Sequence, residues 1–269
     1  MPELPEVETV KEVLKKEVLN KTIKDVIINY DKIIENLSSN EFKEKIKNQT
    51  IVDIKRKGKW LLFELNDYYL LSHLRMEGKY YIKDSNDEIT KHQHVIFIFD
   101  DGKQLRYNDT RKFGKMYLLA KDNIYNQKPL SDVGLEPWEL DLDYLKDKFK
   151  KKNLPIKTVL LDQSIIAGLG NIYCNEVLFS SKINPYKKAS ELKDKELESI
   201  ITYSKITLEK AIKLGGTTIK SYTSSEGVHG RFQNELLVHT KLVCPECGST
   251  LKKEKIGGRS TYYCDNCQK

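Results

Sequence analysis

Met1-Pro-Glu-Leu-Pro-Glu-Val-Glu-Thr9 opens the chain. Removal of Met1, which a small second residue permits in a cytosol, leaves Pro2 as a free N-terminal secondary amine beside the Glu3 carboxylate. An amine of this kind attacks electrophilic carbon, and Glu3 can supply or accept the protons. Pro5 suits the first turn of a helix, where its missing N–H breaks no bond. Val7, Val10, Val13 and Leu14 recur at helical spacing and predict a buried helix that holds the amine in place. Taken alone, the stretch also fits a ragged terminus in front of a proline-started helix. The rest of the chain decides between the two.

Downstream of that helix the pattern turns to strands. Thr22 to Tyr30 alternates, and Ser39 to Lys47 reads as a short helix. Strands are expected at Thr50–Lys55, Lys59–Leu65, Tyr68–Ser72, Lys79–Ile82, His92–Phe99, Gln104–Tyr107 and Lys115–Leu119, with turns at Asn66-Asp67, Asp84–Asp87 and Asp100–Gly102. Many short strands at regular spacing predict a β-sandwich or barrel. Near residue 125 the character changes to helices, expected at Leu142–Lys151, Ile156–Asp162, Asn171–Ser180 and Asp194–Leu214. The last carries Leu197, Ile200, Ile201, Leu208, Ala211 and Ile212 on one face and stops at Gly215-Gly216. Thr217 to Gln233 is polar, contains glycine and shows no apolar period, which predicts a mobile loop.

The 269 residues carry a net charge of +7, which favours a polyanionic partner. With 32% charged and 39% hydrophobic residues, and no apolar run approaching a membrane span, the expectation is a soluble cytoplasmic protein with no membrane partner. Lysine supplies nearly all the positive charge. Arginine stands only at Arg56, Arg75, Arg106, Arg111, Arg231 and Arg259. In so lysine-biased a chain these positions are candidates for a planar bidentate fork, Arg111 and Arg259 first, the alternative being that they cap local carboxylates.

Four of the five cysteines fall in the last 26 residues as C-x2-C-x16-C-x2-C: Cys244, Cys247, Cys264 and Cys267. That spacing predicts one structural Zn2+, closed by four thiolates and therefore not catalytic. Between the pairs, Leu251–Ile256, Gly257-Gly258 and Ser260–Tyr263 read as a β-hairpin with Arg259 at its tip. The fifth cysteine, Cys174, reads as a buried small hydrophobe. Ile165-Ile-Ala-Gly-Leu-Gly-Asn-Ile-Tyr173 holds two glycines for a tight turn, and Asn171 starts the helix that follows. N–H groups exposed at that start would bind a phosphate, although an ordinary connection between helices explains the same residues.

The opening nonapeptide, the Gly168–Asn171 turn and the cysteine hairpin together resemble the bacterial formamidopyrimidine-DNA glycosylases, bifunctional repair enzymes for oxidised purines, and the resemblance runs along the whole chain. It implies an α+β fold: an N-terminal helix plus a β-sandwich domain (1–125), a linker (126–136), a helical helix-two-turn-helix DNA-binding domain with a lesion-recognition loop (137–233), and a β-hairpin zinc finger (234–269). Damaged double-stranded DNA, the implied partner of a monomer, would lie in the cleft between the domains. The resemblance makes Pro2 the nucleophile and Glu3 the proton donor. Glu6 tunes the site, and Lys57 and Arg259 assist the eliminations. Lys57 is chosen over Lys59 by alignment to the following Trp-Leu-Leu run.

The resemblance also assigns DNA contacts to His92, Lys152, Lys157 and Asn171, although solvated lysine faces are the plain alternative for the two lysines. Met76, Arg111 and Phe113 match the residues that fill the hole left by a flipped base and meet the abandoned partner base. Read without the family, Met76 and Phe113 are ordinary core residues. The approach to the finger, Leu237–Cys244, is shorter than the family's, which puts its entry strand in doubt. Two rivals stand. An endonuclease VIII-like enzyme for oxidised pyrimidines would share Pro2, Glu3 and the clamp, but Leu4 and the Arg111–Phe113 pair argue against it. A non-enzymatic zinc DNA-binding protein leaves Pro2-Glu3 unexplained.

Overall fold

Helix α1 (Leu4–Val18) buries Val7, Val10, Leu14 and Val18, one face at helical spacing, while Val13 is only half-buried. Its polar side is laced by Lys11, which pairs with Glu8 and Glu12. A computed structural model describes residues 1–217 and 230–269. By packing these form two units, the first made of Met1–Pro2 and Glu6–Leu130, the second of Glu3–Pro5, Ser131–Thr217 and Arg231–Lys269. The expected lesion loop lies for the most part outside the described residues.

The first unit is a sandwich of two four-stranded antiparallel sheets. One has the order β1-β6-β7-β5, from Ile23–Ile28 (β1), Lys79–Asp84 (β5), Gln93–Phe99 (β6) and Lys103–Asn108 (β7). The other has the order β2-β3-β4-β8, from Asp53–Lys57 (β2), Trp60–Glu64 (β3), Tyr68–His73 (β4) and Lys115–Ala120 (β8). Helix α2 (Ser39–Ile46) starts at a capping box in which Ser38 and Glu41 satisfy each other's backbone N–H. Val26, Phe42, Ile54, Phe63, Leu70, Phe97 and Leu105 belong to one core with the buried face of α1.

One strand sits later than its sequence pattern. Thr50 forms a bridge with Thr22, and the Ile51 N–H donates to the Lys21 carbonyl. Pairing with β3 therefore begins only at Asp53, opposite Glu64, and runs to Lys57, opposite Trp60.

The second unit is helical: α3 (Leu142–Phe149), α4 (Ile156–Leu160), α5 (Asn171–Ser180) and α6 (Asp194–Lys213). Its core joins Leu145, Phe149, Ile156, Leu160, Val177, Leu197, Ile200 and Leu208. Leu4 belongs to this core, not to that of the rest of its helix. The finger hairpin pairs β9 (Lys252–Ile256) with β10 (Arg259–Tyr263) about Gly257-Gly258, both at positive φ. No regular strand leads into it; the approach contributes a single bridge, Val243 to Thr250. No helix among the described residues is long and apolar enough to cross a membrane.

Candidate active site and nucleic-acid interface

Glu3 is buried against the first turn of α5. Its carboxylate accepts the N–H of Gly170 at 2.8 Å, of Ile172 at 2.9 Å and of Tyr173 at 3.3 Å. The first N–H groups of a helix have no partner within it and carry partial positive charge, so a carboxylate there satisfies both demands. The glycines of the preceding turn are explained by the same contact. A Cβ on Gly170 would lie 2.4 Å from the Glu3 Cδ, and one on Gly168 2.3 Å from a Leu4 methyl. The helix start expected to hold a phosphate through exposed N–H groups thus gives three of them to Glu3. Pro2 and Glu6 are buried on either side of this segment, and Met1 is 43% exposed.

Asn171 joins this turn to the finger: its Nδ2 donates to the Ser260 carbonyl at 2.9 Å. Gly257, at the hairpin turn, comes so close to α4 that a Cβ there would lie 2.8 Å from the Thr158 hydroxyl. Arg259, read as the hairpin tip, is the first residue of β10 and is exposed. Lys157 is fully buried, its Nζ donating to the Asn171 carbonyl at 2.9 Å and to Asn175 Oδ1 at 2.5 Å. Burial pulls its pKa below the usual lysine value. The solvated-face alternative does not describe this side chain, whose nitrogen holds the first turn of α5. Lys152 is half-buried.

The Sγ atoms of Cys244, Cys247, Cys264 and Cys267 all lie within 4.8 Å of one another. Cys244 and Cys267 are 3.8 Å apart, and Cys247 and Cys264 3.5 Å. Four thiolates about 2.3 Å from a tetrahedral Zn2+ stand about 3.8 Å apart, so the donor set fits one structural zinc with no open position.

In the first unit, one end of the β2-β3-β4-β8 sheet gathers the remaining candidates. Lys57 pairs with Trp60, Trp60 with His73, and His73 with Lys115. From this end β4 runs on to Met76, and Arg111 and Phe113 come just before β8. Phe113 is 50% exposed and Met76 half-buried, so the core reading fails for Phe113. The Arg111 guanidinium lies over the Phe113 ring, 4.8 Å from its centroid. Lys57 is half-buried while Lys59 is buried. His92 is half-buried, and its carbonyl accepts the Asp109 N–H at 3.0 Å.

Profiles of three domains match the chain in order: the formamidopyrimidine-DNA glycosylase N-terminal domain over residues 1–116, the H2TH domain of the same enzyme over 133–223, and the zinc finger found in FPG and IleRS over 241–269. The chain belongs to the formamidopyrimidine-DNA glycosylase family. A formamidopyrimidine-DNA glycosylase of Bacillus cereus is 48% identical, with 100% of this chain and 99% of that protein aligned. That of Mycoplasma mobile is 47% identical over the same shares. Among solved structures, a complex of the Lactococcus lactis Fpg protein with THF-DNA and an inhibitor superposes with a TM-score of 0.92 at 37% identity, covering 100% of both chains. The wild-type Lactococcus lactis protein with N7-benzyl-Fapy-dG-containing DNA gives a TM-score of 0.92 at 38% identity over 99% of each chain.

Within this member of the glycosylase family, two of the candidate arginines are structural, and His73 and Asp109 had been given no role. Arg106 is fully buried and donates to Gln104 and Gln93 and to the carbonyls of Asp84, Asp87 and Glu88, so it holds a surface turn. Arg56 bonds Glu8 at 2.7 Å, the carboxylate-capping alternative. His73 is buried edge-on to Trp60 and accepts the Arg75 N–H at 2.9 Å, and burial holds its pKa at about 3. Asp109 had a signal available, since an aspartate one residue before a turn is a side chain suited to fold back on the backbone.

Proposed function

We propose that this chain removes oxidised purines, 8-oxoguanine and ring-opened formamidopyrimidines, from duplex DNA and then cuts the strand. It is a DNA glycosylase with apurinic/apyrimidinic lyase activity, acting in base-excision repair on damaged double-stranded DNA in the cytosol. The observation that carries this reading is the Glu3 carboxylate fixed on three N–H groups at the start of α5, one residue along the chain from the buried Pro2.

In the reading proposed, Met1 is removed and the Pro2 nitrogen attacks C1′ of the extruded nucleotide. The N-glycosidic bond breaks and the base leaves. Glu3 gives the proton that opens the sugar, and the C1′–N bond becomes an iminium. That cation makes the C2′ hydrogen acidic, so the 3′ phosphate and then the 5′ phosphate leave by β- and δ-elimination. Glu6 tunes the proton transfers. Lys57 and Arg259 neutralise phosphate as it departs, and Asn171, His92 and Lys152 contact the backbone. Met76, Arg111 and Phe113 fill the vacated stack. The zinc, held by Cys244, Cys247, Cys264 and Cys267, supplies structure alone.

Excision compared on matched duplexes carrying 8-oxoguanine or thymine glycol tests the substrate class. The account expects faster release of 8-oxoguanine. Faster release of thymine glycol assigns the chain to oxidised pyrimidines instead.

A further inference from the structure

The two connections that carry the expected wedge residues cross between the sheets of the sandwich and share one base. Residues 74–78 lead from β4 to β5 in the other sheet, and 109–114 return from β7 to β8. Tyr107, on β7, is buried where they meet. A Cβ added at Gly78 would lie 2.3 Å from the Tyr107 Oη, and one at Gly114 only 1.7 Å from it. Each connection thus has a glycine one or two residues after its wedge residue, pressed on the same phenol. Thr110 on one donates to Glu77 on the other.

Asp109 organises the second connection from inside. Its side chain is fully buried, Oδ1 accepting the Arg111 N–H at 2.9 Å and Oδ2 those of Phe113 at 2.9 Å and Gly114 at 2.8 Å. Its own backbone is fixed at both ends, the N–H on the His92 carbonyl at 3.0 Å and the carbonyl against His94 Nε2 at 2.7 Å. Between Arg111 and Phe113, Lys112 takes a φ of +57°, a left-handed turn that brings the N–H groups round to one carboxylate. A buried carboxylate is tolerated only where donors surround it, and here two of the three donors belong to residues expected to enter DNA.

We propose that Asp109 is a positioning residue: with Tyr107 beneath both connections, it presets Met76, Arg111 and Phe113 as one rigid wedge before DNA arrives. This rests on the glycosylase reading above. A wedge ordered in advance spends none of the binding free energy on loop ordering. It also fixes where Arg111 meets the partner base, so opposite-base discrimination depends on Asp109, a side chain that touches no nucleotide.

The test uses the full-length, zinc-loaded, Met1-free protein, with two substrates and two variants. Asp109→Asn turns a donor toward N–H donors. Gly114→Ala forces the chain off Tyr107 while leaving the carboxylate intact. Excision is timed on duplexes with 8-oxoguanine opposite cytosine or adenine. Borohydride trapping is timed on a single-stranded oligonucleotide with an abasic site, which has no partner base and no stack to fill. Both variants should lose about 10- to 100-fold on the duplex, the scale of a small misplacement. The single strand should lose at least tenfold less, and the cytosine-to-adenine ratio should move toward one. Equal losses on both substrates with a lowered melting temperature, or an unchanged ratio, overturn the positioning role and leave the glycosylase reading intact. Failure of the wild-type protein on both substrates overturns the reading itself.

Discussion

Glu3 couples a catalytic assignment to a structural one, and the two separate by substitution. Glu3→Gln turns an amide donor toward backbone donors that no longer find an acceptor, a loss of about 1–3 kcal/mol. As the proton donor that opens the sugar, its removal should also slow iminium formation and strand cleavage about 10²- to 10⁴-fold. Single-turnover strand cleavage beside a thermal melt distinguishes these: a melt shift with undiminished cleavage removes Glu3 from the chemistry. Gly170→Ala probes the same site from the backbone side and should cost comparable stability, since its Cβ meets the Glu3 carboxyl carbon at 2.4 Å. His239 gives a pH signature. Burial, and then Lys157, hold its pKa at about 4 against an ordinary 6.5, and its Nδ1 sits 2.7 Å from the Asn175 amide. The unfolded chain therefore binds the proton that the folded chain refuses. Stability is full above pH 6.5 and falls as the pH drops toward 4. The melting temperature should decline between pH 6.5 and 5, with His73 contributing over the same window, and His239→Gln should make that slope shallower by about half; parallel slopes would move the effect to another group.

At the scale of elements, the zinc finger depends on a metal that can be removed. Cys247→Ser leaves three thiolates, and loss of a site worth about 10–16 kcal/mol to a small finger should unfold β9 and β10. Metal analysis should fall from one zinc per chain to none, with weaker DNA binding and the β-sheet signal of the sandwich retained. Metal content still at one would discard this ligand set. Strands and helices were readable from sequence because their signals are local: short apolar runs bounded by turn residues in β3, β4 and β6, the apolar face of α6, and the glycines after it. What sequence misplaced depends on partners far along the chain. The late start of β2 follows from Thr50 and Ile51 pairing with Thr22 and Lys21. Lys157 looked like a surface lysine because nothing local shows that Asn171 and Asn175 enclose its nitrogen. Arg106 looked like a candidate fork for the same reason, its acceptors being largely backbone carbonyls of 84–88. The Gly168–Gly170 turn was recognisable, but its occupant, Glu3, stands at the other end of the sequence from it.

The whole molecule is basic, +7 over 269 residues, and its partner in this account is a polyanion. Lys57→Ala should weaken binding to damaged and undamaged duplexes alike, reducing the salt slope by about one if it removes a phosphate contact, whereas Asn171→Ala, which removes no charge, should weaken both with the slope unchanged. An unchanged slope for Lys57→Ala would place Lys57 away from phosphate, and undiminished affinity for Asn171→Ala would do the same for Asn171. The account as a whole stands on the Pro2 amine, and one measurement reaches it: borohydride trapping on a duplex carrying 8-oxoguanine opposite cytosine, with protein shown by intact mass to begin at Pro2. The account predicts a covalent protein–DNA adduct that peptide mapping places on Pro2. No adduct, or one mapped to a lysine, would contradict it.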